Sequence, residues 1–246
     1  DGRGYKAYRS VKGEYAIGPL RLFVDHVQSD PFAPPSRMRV RLPGSEADIP
    51  SELYAGADRR RAMEDLLTRR FAAAADRYAG REGGTGKSGL VAIDRCGQEV
   101  LQRTSMVVCD DWVEARFVVG LPARGRRVMG RKAFRILADE VPRVVEHSMR
   151  FGGMDAEAAR RHVEAVEDQA WLRRRLPKMG LVAFVADGSV LPRKSGVSDL
   201  PMDLSEAVPF ASPAELRVEV ELPNAGQVSG MGVPEGVTLI VGGGYH

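Results

Sequence analysis

The sequence predicts an α+β fold, an N-terminal domain of mixed or antiparallel strands with several helices, followed by a short strand-rich segment. Three observations predict it. The run Ser36–Pro43 alternates Met38, Val40 and Leu42 with Arg37, Arg39 and Arg41, the period of a strand with one buried face. The stretch from Ser51 to Tyr78 carries Leu53, Met63, Leu66, Leu67 and Phe71 as the apolar stripe of a long helix. Near the end, Val237-Thr-Leu-Ile-Val241 is continuously apolar and β-branched, as a strand buried on both faces should be.

The elements follow in order. Leu20–Val27 and Ser36–Pro43 are two strands joined through a connection containing Pro31, Pro34 and Pro35. The long helix takes Ser51 as its N-cap and Glu52 near the positive end of its dipole. A glycine-rich loop, Gly80–Gly89, leads to strands at Leu90–Arg95, Glu99–Cys109 and Trp112–Val119. The basic loop Ala123–Lys132 opens onto a helix that Pro142 must interrupt or restart. Asp155 caps a further helix running to Arg175, with Glu157 early and Arg173, Arg174 and Arg175 late, in accord with the dipole. Leu181–Ala186 is a strand of buried type. Composition shifts over Gly188–Pro213, rich in proline, and a domain boundary is placed there, giving residues 1–205 and 206–246. Short strands at Leu216–Leu222, Gln227–Gly230 and Val237–Val241 complete the chain.

A hydrophobic fraction of 43% with 28% charged residues excludes a disordered chain. The net charge of +3 rests on 36 basic residues, mostly Arg, and leaves a polyanionic partner open without requiring one. Cys96 and Cys109 have no disulfide or zinc spacing and read as small buried hydrophobes of a reducing, cytoplasmic compartment. No apolar run approaches the roughly 20 residues that span a bilayer, so no membrane role is expected. The opening Asp1-Gly2-Arg3-Gly4 and the glycine-rich ending both read as cuts from a longer chain.

Two segments suggest phosphate binding. Gly83-Gly-Thr-Gly-Lys-Ser88 ends like a P-loop, but Arg81 stands where the first glycine belongs. A helix precedes it and a strand follows, the reverse of what places helix amides at a phosphate. It reads as a flexible connection, with a residual contact through Lys87 left open. At the other end, Gly242, Gly243, Gly244, Tyr245 and His246 directly follow the apolar strand. In the pattern G-x-x-x-x-G-K-[ST] they are the first glycine and the four variable positions. Glycines there let backbone N–H groups curl around phosphates. The residues alone do not separate this from a plain glycine-rich turn.

Several further motifs bear on the choice. They are Leu216-Arg-Val-Glu-Val-Glu-Leu-Pro-Asn, Gly230-Met-Gly-Val-Pro-Glu-Gly followed by the apolar strand and glycines, and Arg3-Gly-Tyr-Lys-Ala-Tyr. Asp25-His-Val-Gln-Ser-Asp-Pro-Phe-Ala-Pro-Pro-Ser-Arg, Gly86-Lys-Ser-Gly and Gly120-Leu-Pro-Ala-Arg-Gly-Arg-Arg complete the set. Together they resemble the predicted ATPases of the ABC class, soluble proteins with an N-terminal domain of their own, over essentially the whole chain. The resemblance implies that residues from about 206 are the opening β-subdomain and P-loop strand of an ABC-type ATPase domain. It also implies that Gly242–His246 form the first half of a Walker A cradle, with ATP and Mg²⁺ as ligands of the complete protein and a homodimer as its working form. The Lys and Ser/Thr that complete the loop do not occur after Gly242 in these residues, so no ATPase activity is expected of them alone.

A second partner class comes from charge. Arg37, Arg39 and Arg41 project from one strand face, and Arg124, Arg126, Arg127, Arg131 and Lys132 crowd one loop. Brought together they could track an RNA or DNA backbone; equally, they could be a solvated face whose arginines pair with Asp and Glu. Little aromatic sequence surrounds them, so no stacking platform is evident. His26 beside Asp25, and the pair Asp110 and Asp111, read as structural. No catalytic triad or metal cluster is expected. A non-catalytic nucleic-acid-binding module and a protein-interaction domain stay open as alternatives.

Overall fold

The computed structural model describes residues 1–80 and 83–241. The chain divides into two compact units, Asp1–Arg160 and Arg161–His246.

The first unit opens with a 3-10 turn, Tyr5–Val11, and the strands β1 Gly13–Ile17, β2 Leu20–His26 and β3 Ser36–Pro43. A single-turn helix α1, Gly44–Ala47, precedes the long helix α2, Ala57–Tyr78. Strands β4 Val91–Ala92, β5 Met106–Val108 and β6 Trp112–Val119 follow. A tight hairpin of β7 Ala123–Arg124 and β8 Arg127–Val128 leads to α3 Gly130–Arg135, a π-helical turn Ile136–Glu140 and α4 Val141–Met149. The sheet runs β1-β2-β3-β6-β4 with β5 also on β6, and every pairing is antiparallel.

The inner face of the sheet is made by Leu22 and Val24, Met38, Val40 and Leu42, and Val113, Ala115 and Phe117, all buried. Met63, Leu67 and Phe71 of α2 pack on it, with the rings of Phe71 and Phe117 5.3 Å apart. Each such side chain withdrawn from water contributes about 1.5–3 kcal/mol. The alternation in Ser36–Pro43 is thus the signature of this interface, and its arginines face outward.

Three sequence expectations are corrected. Ser51 does not cap α2: it begins a 3-10 turn, Ser51–Leu53, and the helix starts at Ala57 behind Gly56, which has no side chain to cap with. The strand expected over Glu99–Cys109 shrinks to Met106–Val108, because the preceding residues turn onto α2 instead. There Gln102 donates to Glu64 at 3.1 Å and Arg103 to Asp65 at 3.2 Å. Cys96 and Cys109 are half-buried free thiols rather than core residues, and burial followed by the Asp65 carboxylate pushes the Cys96 thiol up. Pro142 interrupts the regular α-helix as expected: the π-helical turn Ile136–Glu140 stands just before it and helical backbone continues through to Met149.

Helix α5, Ala156–Arg175, begins at Asp155, whose Oδ1 accepts from the amide of Ala158 at 3.0 Å. The second unit carries β9 Leu181–Ala186, a small hairpin of β10 Arg193–Ser195 and β11 Ser198–Pro201, and β12 Arg217–Leu222 and β13 Gly226–Pro234. Its sheet is ordered β12-β13-β9, antiparallel throughout. Buried Asp168 of α5 accepts from the amides of Asn224 and Ala225 at 3.0 and 2.9 Å and so fixes the turn between β12 and β13.

The proline-rich stretch lies inside this unit. Its ends are tied by Gly188 N–H to Phe210 O and Phe210 N–H to Ser189 O, at 2.8 and 2.9 Å. Asp187 accepts from the Ser212 amide and hydroxyl and from the Ser229 hydroxyl, each at 2.6 Å, which holds its carboxyl near 2. The stretch is therefore an excursion between paired strands, and residue 205 falls within it. Val237–Val241 forms no strand; its aliphatic side chains are 87–97% exposed at Val237, Ile240 and Val241. A fully apolar strand needs neighbours on both edges, and the described residues supply none there. Gly242–His246 lie outside the described residues.

Candidate nucleic-acid interface

The register of β2, β3 and β6 assembles the outer sheet face. Phe23 lies opposite Arg39 and Arg39 opposite Arg116; in the next row Arg21, Arg41 and Glu114 align. Glu114 is fully buried although it belongs to this face. Its carboxylate accepts from Arg41 Nε at 2.5 Å, Arg116 Nε at 2.8 Å and Arg39 Nη1 at 3.1 Å. Burial pushes Glu114 up, but the hydrogen bonds from Arg116 and Arg41 outweigh it and hold the group below the usual carboxylate range. Arg39 also closes a fork on Asp25 at 2.7 and 2.9 Å, and these bonds, first among the causes, lower Asp25.

The guanidinium planes cover rings as well: Arg39 stands 4.6 Å from the centre of Phe23 and Arg41 4.4 Å from that of Trp112. Arg39 and Arg41 are thus engaged by two carboxylates and two rings of their own sheet. Arg37, exposed, stands at the end of β3 paired with Val118, beside the point where the chain leaves for the hairpin. Arg116 and Glu114 escaped the sequence reading. The alternation of Trp112–Val119 put them on one face, but their partners come from a register that no local pattern carries.

The basic loop is a built element. Arg124, Gly125, Arg126 and Arg127 are exposed around the β7–β8 turn. The hairpin is strapped from below by Gly2 N–H to Val128 O at 3.0 Å, Val128 N–H to Arg3 O and Tyr5 N–H to Arg126 O, both at 2.9 Å. The phenol groups of Tyr5 and Tyr8 donate to the carbonyls of Leu121 and Pro122 at 2.8 and 2.7 Å. Burial pushes Tyr8 up to about 12. Arg124, Arg127, Arg131 and Lys132 border a concavity of about 510 Å³, with Asp1 on its rim. Asp1 Oδ1 accepts from the Arg131 amide at 3.1 Å.

The Gly-Lys-Ser loop turns out to be pinned, and pinned to this hairpin. Thr85 N–H donates to Ala123 O at 2.9 Å, Gly125 N–H to Thr85 Oγ1 at 2.7 Å and Ala123 N–H to Ser88 Oγ at 3.0 Å. Lys87 N–H donates to Pro31 O and Gly89 N–H to Gly120 O. Two glycines are required by contact: a Cβ at Gly120 would overlap the Lys87 carbonyl, and one at Gly86, where φ is +65°, would overlap that of Pro31. The amides of Thr85, Lys87 and Gly89, which a P-loop would offer to phosphate, are held by protein carbonyls. The loop is a clamp, with the Lys87 side chain exposed at its edge.

A family model for the N-terminal region of ATPases of the ABC class matches residues 1–152, more than half of the chain, and a model of the ABC ATPase P-loop domain matches residues 155–246. A search of curated proteins returns no match. The junction of the two matches falls close to the division of the chain after Arg160. The chain therefore belongs to the ATPases of the ABC class, a nucleotide-binding P-loop family, and carries that class's N-terminal region followed by sequence of its P-loop domain.

Proposed function

We propose that the first unit grips a nucleic acid, RNA in the first instance, on which the ATP-driven cycle of the P-loop domain acts. The observation that carries this reading is the rigidly strapped hairpin presenting Arg124, Arg126 and Arg127 beside the cationic concavity of Arg131 and Lys132. Arginines presented on a backbone already fixed bind phosphates without the cost of ordering their loop and release counterions as they do so, and Arg127 also donates to Gly2 O at 2.9 Å. The arginines of β3 take the supporting role, since their donors already engage Asp25 and Glu114. Filter binding of labelled RNA tests it. Arg124→Ala/Arg126→Ala/Arg127→Ala is expected to lower affinity at least tenfold, and unchanged affinity overturns the proposal.

For the nucleotide, Gly242–His246 are proposed as the first half of the phosphate cradle of an ATP and Mg²⁺ site in the complete protein, which works as a cytoplasmic homodimer. Bound Mg²⁺ would neutralise charge on the transferred phosphoryl group. The 246 residues hold glycine amides for the phosphates but no Lys or Ser/Thr behind them. A polypeptide of these residues is expected to release no phosphate from ATP; steady turnover by the purified polypeptide contradicts this.

A further inference from the structure

The turn between β2 and β3 presents Phe32 to solvent, 66% exposed. A single exposed Phe is unremarkable on a loose loop, but this turn is fixed. The amides of Phe32 and Ala33 both donate to Asp30 Oδ1, at 2.8 and 3.1 Å, and Gln28 Nε2 donates to Asp30 O at 3.1 Å. Gln28 in turn accepts from the Leu121 amide at 3.1 Å, on the approach to the hairpin. On the other side Pro31 O accepts from the Lys87 amide at 3.2 Å. The Lys87 loop holds the hairpin through Thr85 and Ser88. One joint of the first unit therefore carries Phe32 on a fixed backbone, the exposed ammonium of Lys87 and the guanidinium groups of Arg124, Arg126 and Arg127.

A ring carried on a backbone already fixed spares the cost of ordering its loop when a base settles on it. Base-on-ring stacking needs an open base face, which a single strand offers and a duplex does not. From this arrangement we infer that Phe32 is a base-stacking residue for a single-stranded polynucleotide whose phosphates run over the Lys87 loop and the hairpin. The inference rests on the nucleic-acid reading above and narrows its substrate to unpaired strands.

Fluorescence anisotropy with a short fluorescein-labelled single-stranded RNA of mixed sequence, and with the same RNA annealed to its complement, tests it on the 246-residue chain. Phe32→Leu keeps apolar bulk without the ring's π-face, and Phe32→Tyr keeps the face. Phe32→Leu is expected to weaken single-strand binding about tenfold and leave duplex binding unchanged, while Phe32→Tyr binds as the parent does. Thermal unfolding of both variants should match the parent, since the ring is exposed. If Phe32→Leu binds the single strand as tightly as the parent while the triple arginine variant does not, the stacking inference is overturned and the nucleic-acid reading stands. If the parent binds neither RNA, or binds polyglutamate as tightly as RNA, both are overturned.

Discussion

Replacing Glu114 by Gln would leave three guanidinium groups facing a neutral amide in the middle of the large sheet. Removing one partner of a fully buried charge cluster costs about 3–5 kcal/mol. Arg39, Arg41 and Arg116 are 28–44% exposed in their side chains, so solvent screening reduces the loss to about 2 kcal/mol. Urea denaturation at neutral pH should show that loss. The sign of its pH dependence follows from the lowered carboxyl. Protons bind Glu114 less readily in the folded state than at its ordinary 4.5, so its contribution is complete above that value and fades as pH falls through the lowered one. The gap between parent and Glu114→Gln should therefore narrow in acid; a gap that widens contradicts the assignment. At this scale the sequence showed Arg37, Arg39 and Arg41 as one face. It could not show that Glu114, more than 70 positions away, neutralises two of them, because that pairing is created by register.

The elements were legible in proportion to how locally they are determined. Ser36–Pro43 and Trp112–Val119 form as the alternation indicates, since each has a buried face written into its own residues. Leu181–Ala186 forms a strand that is not of the buried type expected, with only Leu181 buried and Val182 59% exposed. The Gly83–Ser88 loop was legible only as not being a P-loop. Its role as a clamp depends on carbonyls of Pro31, Gly120 and Ala123, which lie in two segments distant in the chain. That role is testable at Thr85. Thr85→Val keeps the shape and removes the acceptor of the Gly125 amide, a bond that contributes about 1 kcal/mol. Hydrogen exchange of Gly125 and Arg126 is expected to quicken severalfold while the amides of β3 and β6 keep their protection. Uniform loss of protection would mean that Thr85 supports the unit generally, and no change that it supports nothing. The domain boundary expected in the proline-rich stretch rests on composition alone, which does not encode that β9 precedes the stretch and its ladder partner β13 follows it.

Across the whole molecule, the α+β class and the family were legible because they rest on many dispersed signals. The strand expected at Val237–Val241 was not realised, because a both-faces-buried strand is a property of the sheet around it rather than of its own residues. Function at this scale combines a P-loop domain with a basic, strapped hairpin in the first unit, and the central claim is that this hairpin contacts phosphates. Each contact with a single strand contributes about 0.7 to the slope of log K against log salt concentration. The salt dependence of single-stranded RNA binding, measured for the parent and for Arg124→Ala/Arg126→Ala/Arg127→Ala, tests the claim most directly. The triple variant should bind more weakly with a slope shallower by about 2; parallel lines of equal affinity would contradict it.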